Sequence, residues 1–142
     1  MAGYSETPLV KKLGIKVGFN IAFVNAPLDF FNELTLPQNV KVNSRSKKPL
    51  DFVLLFVMSE KDLQKRFAEY AERLLAAGMI WVAWPKKSSG ITTDLSFNNV
   101  QRIGLAAGLV DVKICAVSDV WSGLKFVFRL QDREQLKVHR QK

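Results

Sequence analysis

Two residue types that carry much of enzyme chemistry are nearly missing. The 142 residues contain one cysteine, Cys115, and one histidine, His139. A lone cysteine excludes an internal disulfide. A histidine at the fourth position from the end argues against a Ser-His-Asp or Cys-His hydrolase, which needs a base held by a third group. No cluster of Cys, His and Asp has metal-ligand spacing, so no metal is expected. Asp51, Asp111 and Asp119 are scattered, and no pair announces general acid/base work. Long apolar runs are also lacking. The longest, near Ala76 to Trp84, contains Gly78 and ends at Pro85-Lys86, well short of the roughly 20 residues that span a bilayer. The opening MAGYSETPLVKK has no apolar core of a signal peptide. No membrane partner and a cytoplasmic location are expected.

Acids are scarce relative to bases: 13 against 21, a net charge of +8. That balance favours an anionic partner, whether a small molecule, a phosphate group or nucleic acid, although a soluble protein can simply be basic. Lys41 to Lys48 carries four positive residues and no acid. The stretch from Arg129 to Lys142 is also mostly basic. Both read as solvated segments. Cys115 sits in an apolar run and reads as a buried small hydrophobe.

What is plentiful is apolar surface, 48% of residues, enough for a core. Thr7-Pro8 opens a short helix that closes at Gly14. Ile21 to Asn25 is a strand apolar on both faces, as a central parallel strand must be. Asn25-Ala26-Pro27 breaks it and starts a short helix through Phe30, Phe31 and Leu34. Val40 to Val42 is a weaker strand, and Asp51 to Val57 a second buried one. Ser59 with Asp62 resembles a capping box for a helix with Leu63, Phe67, Ala71, Leu74 and Leu75 on one face, ended by Gly78. Met79 to Trp84 is the third buried strand, with Trp81 and Trp84 on opposite faces. Thr93 caps a helix with Leu95, Val100, Ile103 and Ala107 inward, ended by Gly108. Val110 to Val117 and Leu124 to Leu130 form an antiparallel hairpin.

That order predicts a single α/β domain over residues 1–142, with a polar basic tail from about 131. Its form is a three-layer Rossmann-like sandwich, its sheet mostly parallel and ending in an antiparallel C-terminal hairpin. The sheet would run from the weak strand through the three buried strands to the hairpin.

In such sheets ligands sit where strands end and helices begin. The segment Trp84-Pro85-Lys86-Lys87-Ser88-Ser89-Gly90 leaves a buried strand for a basic, hydroxyl-rich loop. Lys86, Lys87, Ser88, Ser89 and Gly90 could cradle an anion with ammonium groups, hydroxyls and close backbone approach, or form an ordinary solvated turn. The pattern lacks P-loop spacing. Asn25, at the tip of the first strand, binds the same ligand or caps the helix after it. Trp84 lines the crevice or belongs to the core. Asp94 is a first-turn residue favoured by the helix dipole, or a general base. Trp121 suits a partner surface, base stacking, or a cover for the end of the core.

Two resemblances add to this reading. DFVLLFV, RLLAAGMIWVAWP and LAAGLVDVKICAV with GLKFVFRL resemble the strand, the helix-Gly-strand-Pro element and the closing hairpin of class I methyltransferase domains. Those enzymes have a glycine-rich turn after the first strand, where this chain reads Val24-Asn25-Ala26-Pro27-Leu28-Asp29 without glycine. They also have an acid after the second strand, where this chain offers Lys41, Asn43 and Arg45. On that ground no cofactor is expected, and S-adenosylmethionine least of all in the usual manner. TPLVKKLGIK, VNAP, WVAWPKKSSG and LVDVKICAVSDVWSGLKFV together are similar to a small bacterial family of unknown function, which implies one α/β domain and a bacterial origin.

The expectation is a non-catalytic or weakly catalytic module binding a phosphate- or nucleotide-like ligand at the basic loop. The alternatives are a methyltransferase-like protein with a degenerate S-adenosylmethionine site, and a nucleic-acid-associated or protein-interaction domain. A homodimer through the hairpin edge is a further option.

Overall fold

The computed structural model describes residues 7–42 and 48–139, with side chains through Lys137. The basic loop at 43–47, including Arg45 and Lys47, and the side chain of His139 lie outside the described residues.

Six strands form one sheet: β1 (Asn20–Val24), β2 (Lys41–Val42), β3 (Leu50–Phe56), β4 (Leu74–Pro85), β5 (Leu109–Ala116) and β6 (Trp121–Phe128). Their spatial order is β2-β1-β3-β4-β6-β5. β1 runs parallel to β2 and β3, and β3 parallel to β4. β6 is antiparallel to both β4 and β5. The expected strand order and the mixed, methyltransferase-like Rossmann architecture are therefore present.

Helices cover both faces. α1 (Leu9–Leu13) and a 3₁₀ helix (Leu28–Glu33) lie on one; α2 (Glu60–Ala71), α3 (Phe97–Ala106) and α4 (Arg133–His139) lie on the other. Alternation along each strand divides the core. Val53, Leu55, Ile80, Val82 and Trp84 pack toward Leu63 and Phe67 of α2 and Val100 and Ile103 of α3. Phe52, Leu54, Trp81 and Ala83 pack toward Leu13 and Phe30. Both faces are covered, so β3 and β4 read as unbroken apolar runs, with one side chain per face at each step.

α2 starts as expected: the Ser59 hydroxyl accepts from the Asp62 N–H at 3.1 Å. It stops earlier than the apolar spacing predicts. Leu74 is already the first residue of β4, because the Leu50 N–H donates to the Arg73 carbonyl at 2.8 Å and β3 captures the chain there. Between Leu74 and Met79 the register with β3 slips. Gly78 serves that slip and is no helix terminator: a Cβ there would come within 2.8 Å of the Leu74 side chain.

α3 starts later than expected, after Ser96, whose N–H donates to Asn99 Oδ1 at 2.6 Å. Thr93 and Asp94 are engaged elsewhere. The Thr93 hydroxyl donates to the Met58 carbonyl at 2.6 Å, and Asp94 Oδ1 accepts from the Glu60 N–H at 2.8 Å. They strap this segment onto the start of α2. Within the tail expected from about 131, α4 forms and Leu136 packs against the core.

Two changes test this packing. On α3, a Cβ added to Gly104 would lie 2.0 Å from the Phe126 ring, which itself stacks edge-on against Phe67 at 5.2 Å. Alanine in a helix normally gains about 1 kcal/mol over glycine. Here overpacking outweighs it, and Gly104→Ala is expected to lose roughly 1–3 kcal/mol, lowering the thermal midpoint by several degrees. An unchanged or raised midpoint would show that Gly104 does not set the helix-to-sheet spacing. Asp94→Ala removes a carboxylate from the start of α2 and is expected to cost about 1 kcal/mol in chemical denaturation. A neutral result would mean that water serves the Glu60 N–H equally well.

Candidate functional site

From β1 the chain passes to β2 on one side and then to β3 on the other. The direction reverses between β1 and β3, which opens a crevice beyond their carboxyl ends. The pairing of Val24 with Leu55 sets the exits of the two strands side by side. On the β1 side, Asn25 turns the chain with φ +57°, in the left-handed region that asparagine tolerates better than most side chains. Pro27 then starts the 3₁₀ helix, in which Phe30 is buried and Leu28 is left 94% exposed. On the β3 side, Met58 is 51% exposed just before the Ser59 cap of α2. A polar turn and two solvent-facing apolar side chains thus follow the carboxyl ends of β1 and β3.

Next to it an open groove of about 1340 Å³ runs over the carboxyl end of the sheet. One wall is the start of α1, with Pro8 and Lys12, and another is the 3₁₀ helix, with Asp29 and Glu33. Phe56 and Trp121 stack edge-to-face at 5.1 Å, and Phe30 meets Phe56 at 5.2 Å, so the aromatic lining is continuous. The charges are mixed: Lys12 and Lys86 stand against Asp29, Glu33 and Asp119. Such a volume suits a ligand of substantial size, and the acids can accept hydrogen bonds from its donors.

The residues singled out in the sequence fall in several places. Lys86 lines the groove, and its N–H donates to the Val120 carbonyl at 2.8 Å. Asn25 stands at the crevice, two residues before Pro27 of the groove wall. Lys87, Ser88 and Gly90 are exposed. The Ser89 hydroxyl is engaged within its own turn, donating to the Lys86 carbonyl at 2.7 Å and accepting from the Ile91 N–H at 3.1 Å. Trp84 is 5% exposed, in the core beneath α2 and α3. Asp94 holds the start of α2 rather than the first turn of α3. Trp121, at the first position of β6, covers Phe56 at the end of the core.

Sequence reasoning missed Leu28, Asp29, Glu33 and Met58. The available signal was local: an asparagine followed by Ala-Pro directly after a buried strand marks a turn that can take positive φ. Among the described residues, no helix is long and apolar enough to cross a membrane, and no group of three or more His, Cys, Asp or Glu could hold a metal ion.

No family model and no curated protein matches the chain. Solved structures do. A ribosomal protein L11 methylase from Lactobacillus delbrueckii subsp. bulgaricus superposes with a TM-score of 0.56 at 8% identity, over 85% of this chain and 75% of that one. The magnesium protoporphyrin IX methyltransferase of Synechocystis PCC 6803, solved with bound S-adenosylmethionine, gives 0.56 at 9% identity, over 85% and 74%. A SAM-dependent methyltransferase from Aquifex aeolicus gives 0.52 at 15%, over 83% and 86%. At these identities the likeness establishes the fold. It also corrects the expectation against S-adenosylmethionine: chains of this fold were solved with S-adenosylmethionine and with S-adenosylhomocysteine bound. The missing glycine and the missing acid after the second strand had carried that expectation; Asn25 at φ +57° adopts the left-handed backbone conformation without a glycine, and Asn43 and Arg45 lie outside the described residues.

Proposed function

We propose that the protein binds S-adenosylmethionine at the crevice beyond β1 and β3 and serves as a methyltransferase whose acceptor enters the adjoining groove. The observation that carries this reading is the left-handed turn at Asn25, placed at the switch point of a sheet whose fold is shared with S-adenosylmethionine-bound chains.

The residues fit the ligand's chemistry. Ala26 keeps the turn small, and Asn25 takes the left-handed φ that turns the chain directly after β1. Leu28 and Met58 offer apolar surface to a purine. Asp29 supplies a carboxylate at the start of the 3₁₀ helix, suited to ribose hydroxyls or an amino group. When bound, the cofactor supplies a methyl group on a sulfonium. In the groove the half-buried Trp121 offers an aromatic ring, backed by the buried Phe30 and Phe56. Asp29 and Glu33 accept hydrogen bonds there, and Lys86 and Lys12 pair with anionic parts of the acceptor.

Calorimetry with S-adenosylhomocysteine tests the reading. Saturable binding is expected for the wild type. Asn25→Gly should retain it, since glycine adopts positive φ freely. Asn25→Val should weaken it at least tenfold, because a β-branched residue resists φ +57°. Lys87→Ala should leave it unchanged. Absence of heat with either S-adenosylmethionine or S-adenosylhomocysteine at millimolar ligand would sink the proposal.

A further inference from the structure

The largest concentration of charge outside the crevice lies on the α1 side of the β5–β6 hairpin. Lys113 and Lys125 are direct cross-strand partners, an arrangement of like charges that disfavours sheet pairing. The Lys113 ammonium donates to the Lys12 carbonyl at 3.0 Å, which brings the end of α1 over the hairpin. The Lys125 ammonium lies beside Gly14, within 3.7 Å of where a Cβ would stand, and Lys16 follows two residues later. Four lysines thus gather where α1 meets the hairpin.

Among the described residues, none of the four is held in an ion pair; the pairs present are Arg66–Asp62, Arg102–Glu60 and Lys137–Glu134. α1 has no acid and β6 has none. The acid of β5, Asp111, lies across the bulge and accepts from Gln101 Nε2 of α3 at 3.2 Å. Burial, with Lys113 and Lys16 beside it, holds the Lys125 ammonium below the ordinary lysine value. Capping the carbonyl end of α1 accounts for Lys113 and leaves three charges unexplained.

We propose that Lys12, Lys16, Lys113 and Lys125 form a binding surface for the phosphate backbone of a single-stranded nucleic acid, which they lead into the groove. Lys12 belongs to both features, so the track is continuous with the groove wall. The acids of the groove repel phosphates and leave its interior to a base, which Trp121 can stack. A small anion would need one or two of these charges; a backbone, with a phosphate at every nucleotide, uses all four. That the delivered nucleotide is the methyl acceptor rests on the methyltransferase reading; binding of the strand does not.

The experiment is fluorescence anisotropy with labelled single-stranded RNA and DNA oligonucleotides, without cofactor, across a salt series. Two double variants remove equal charge: Lys113→Gln/Lys125→Gln on the hairpin, and Lys61→Gln/Lys65→Gln on exposed positions of α2, the opposite face. Losing two phosphate contacts should lower the slope of log K against log salt by about 1.4. The hairpin variant should therefore bind at least tenfold more weakly at moderate salt, with the α2 variant near wild type. Thermal midpoints verify folding, and the hairpin variant should melt close to the wild type, since removing the like-charge pair offsets the lost Lys113–Lys12 hydrogen bond. Equal losses in both variants, salt-insensitive binding, or binding of inorganic phosphate without oligonucleotide would overturn the proposal. Calorimetry with S-adenosylhomocysteine on the same variants separates the two claims: unchanged cofactor affinity with lost strand binding locates the defect in the lysine surface, whereas strand binding without cofactor binding removes only the methyl-acceptor role.

Discussion

The indole N–H of Trp81 donates to the carbonyl of Leu13 across 2.9 Å in the interior, joining residues 68 positions apart. Trp81 is fully buried on β4, between β3 and β6 in the sheet. The bond satisfies an indole that has no water to turn to and a carbonyl at the end of α1 that has no partner within the helix. A helix as short as α1 cannot hold itself together, so its position comes from this bond and from the burial of Leu13 and Ile15. Much else leans on that position. Pro8 and Lys12 wall the groove, and Lys12 and Lys16 complete the lysine cluster over the hairpin. That bond and the burial beside it therefore set the wall of a ligand-sized groove and a charged surface that share a single helix.

The site divides its labour by charge. Beyond the ends of β1 and β3 stand the left-handed turn at Asn25 and the exposed, apolar Leu28 and Met58. In the groove acids and bases are mixed over an aromatic floor, and on the hairpin face the charge is of one sign. That sequence of environments suits a ligand with an apolar ring, a neutral reacting group and an anionic extension, each in its own surroundings. The sheet makes the arrangement possible because β1, β3, β4 and the β5–β6 turn all deliver chain to the same edge.

Most of the architecture was legible in the apolar pattern. β1, β3 and β4 are buried on both faces, and a short continuous apolar run such as DFVLLFV, bounded by polar residues and rich in Val and Phe, fits such a strand. Boundaries were less legible where tertiary bonds decided them. Leu74 and Leu75 continue the helical spacing of α2, yet the Leu50 N–H draws the chain into the sheet at Arg73. Thr93 and Asp94 have the chemistry of a helix start, and they spend it on the Met58 carbonyl and the Glu60 N–H. At the site, Lys86 and Asn25 were visible as loop residues at strand ends. Trp84 points into the core because its strand parity matches Val82, and Ser89 turns inward on its own loop. The backbone of Asn25 was the costliest omission: the sequence of the turn shows no glycine, and only coordinates show that asparagine takes a positive φ there. The lysine cluster was invisible to sequence reading, since it joins α1 to β5 and β6 from a hundred residues away.

A crystal structure grown with S-adenosylhomocysteine decides where the cofactor binds. Ligand density is expected at the carboxyl ends of β1 and β3, against the backbone of Asn25 and the side chains of Leu28 and Met58. Density at the Lys86–Gly90 loop instead, or an empty crevice at saturating ligand, would contradict that placement.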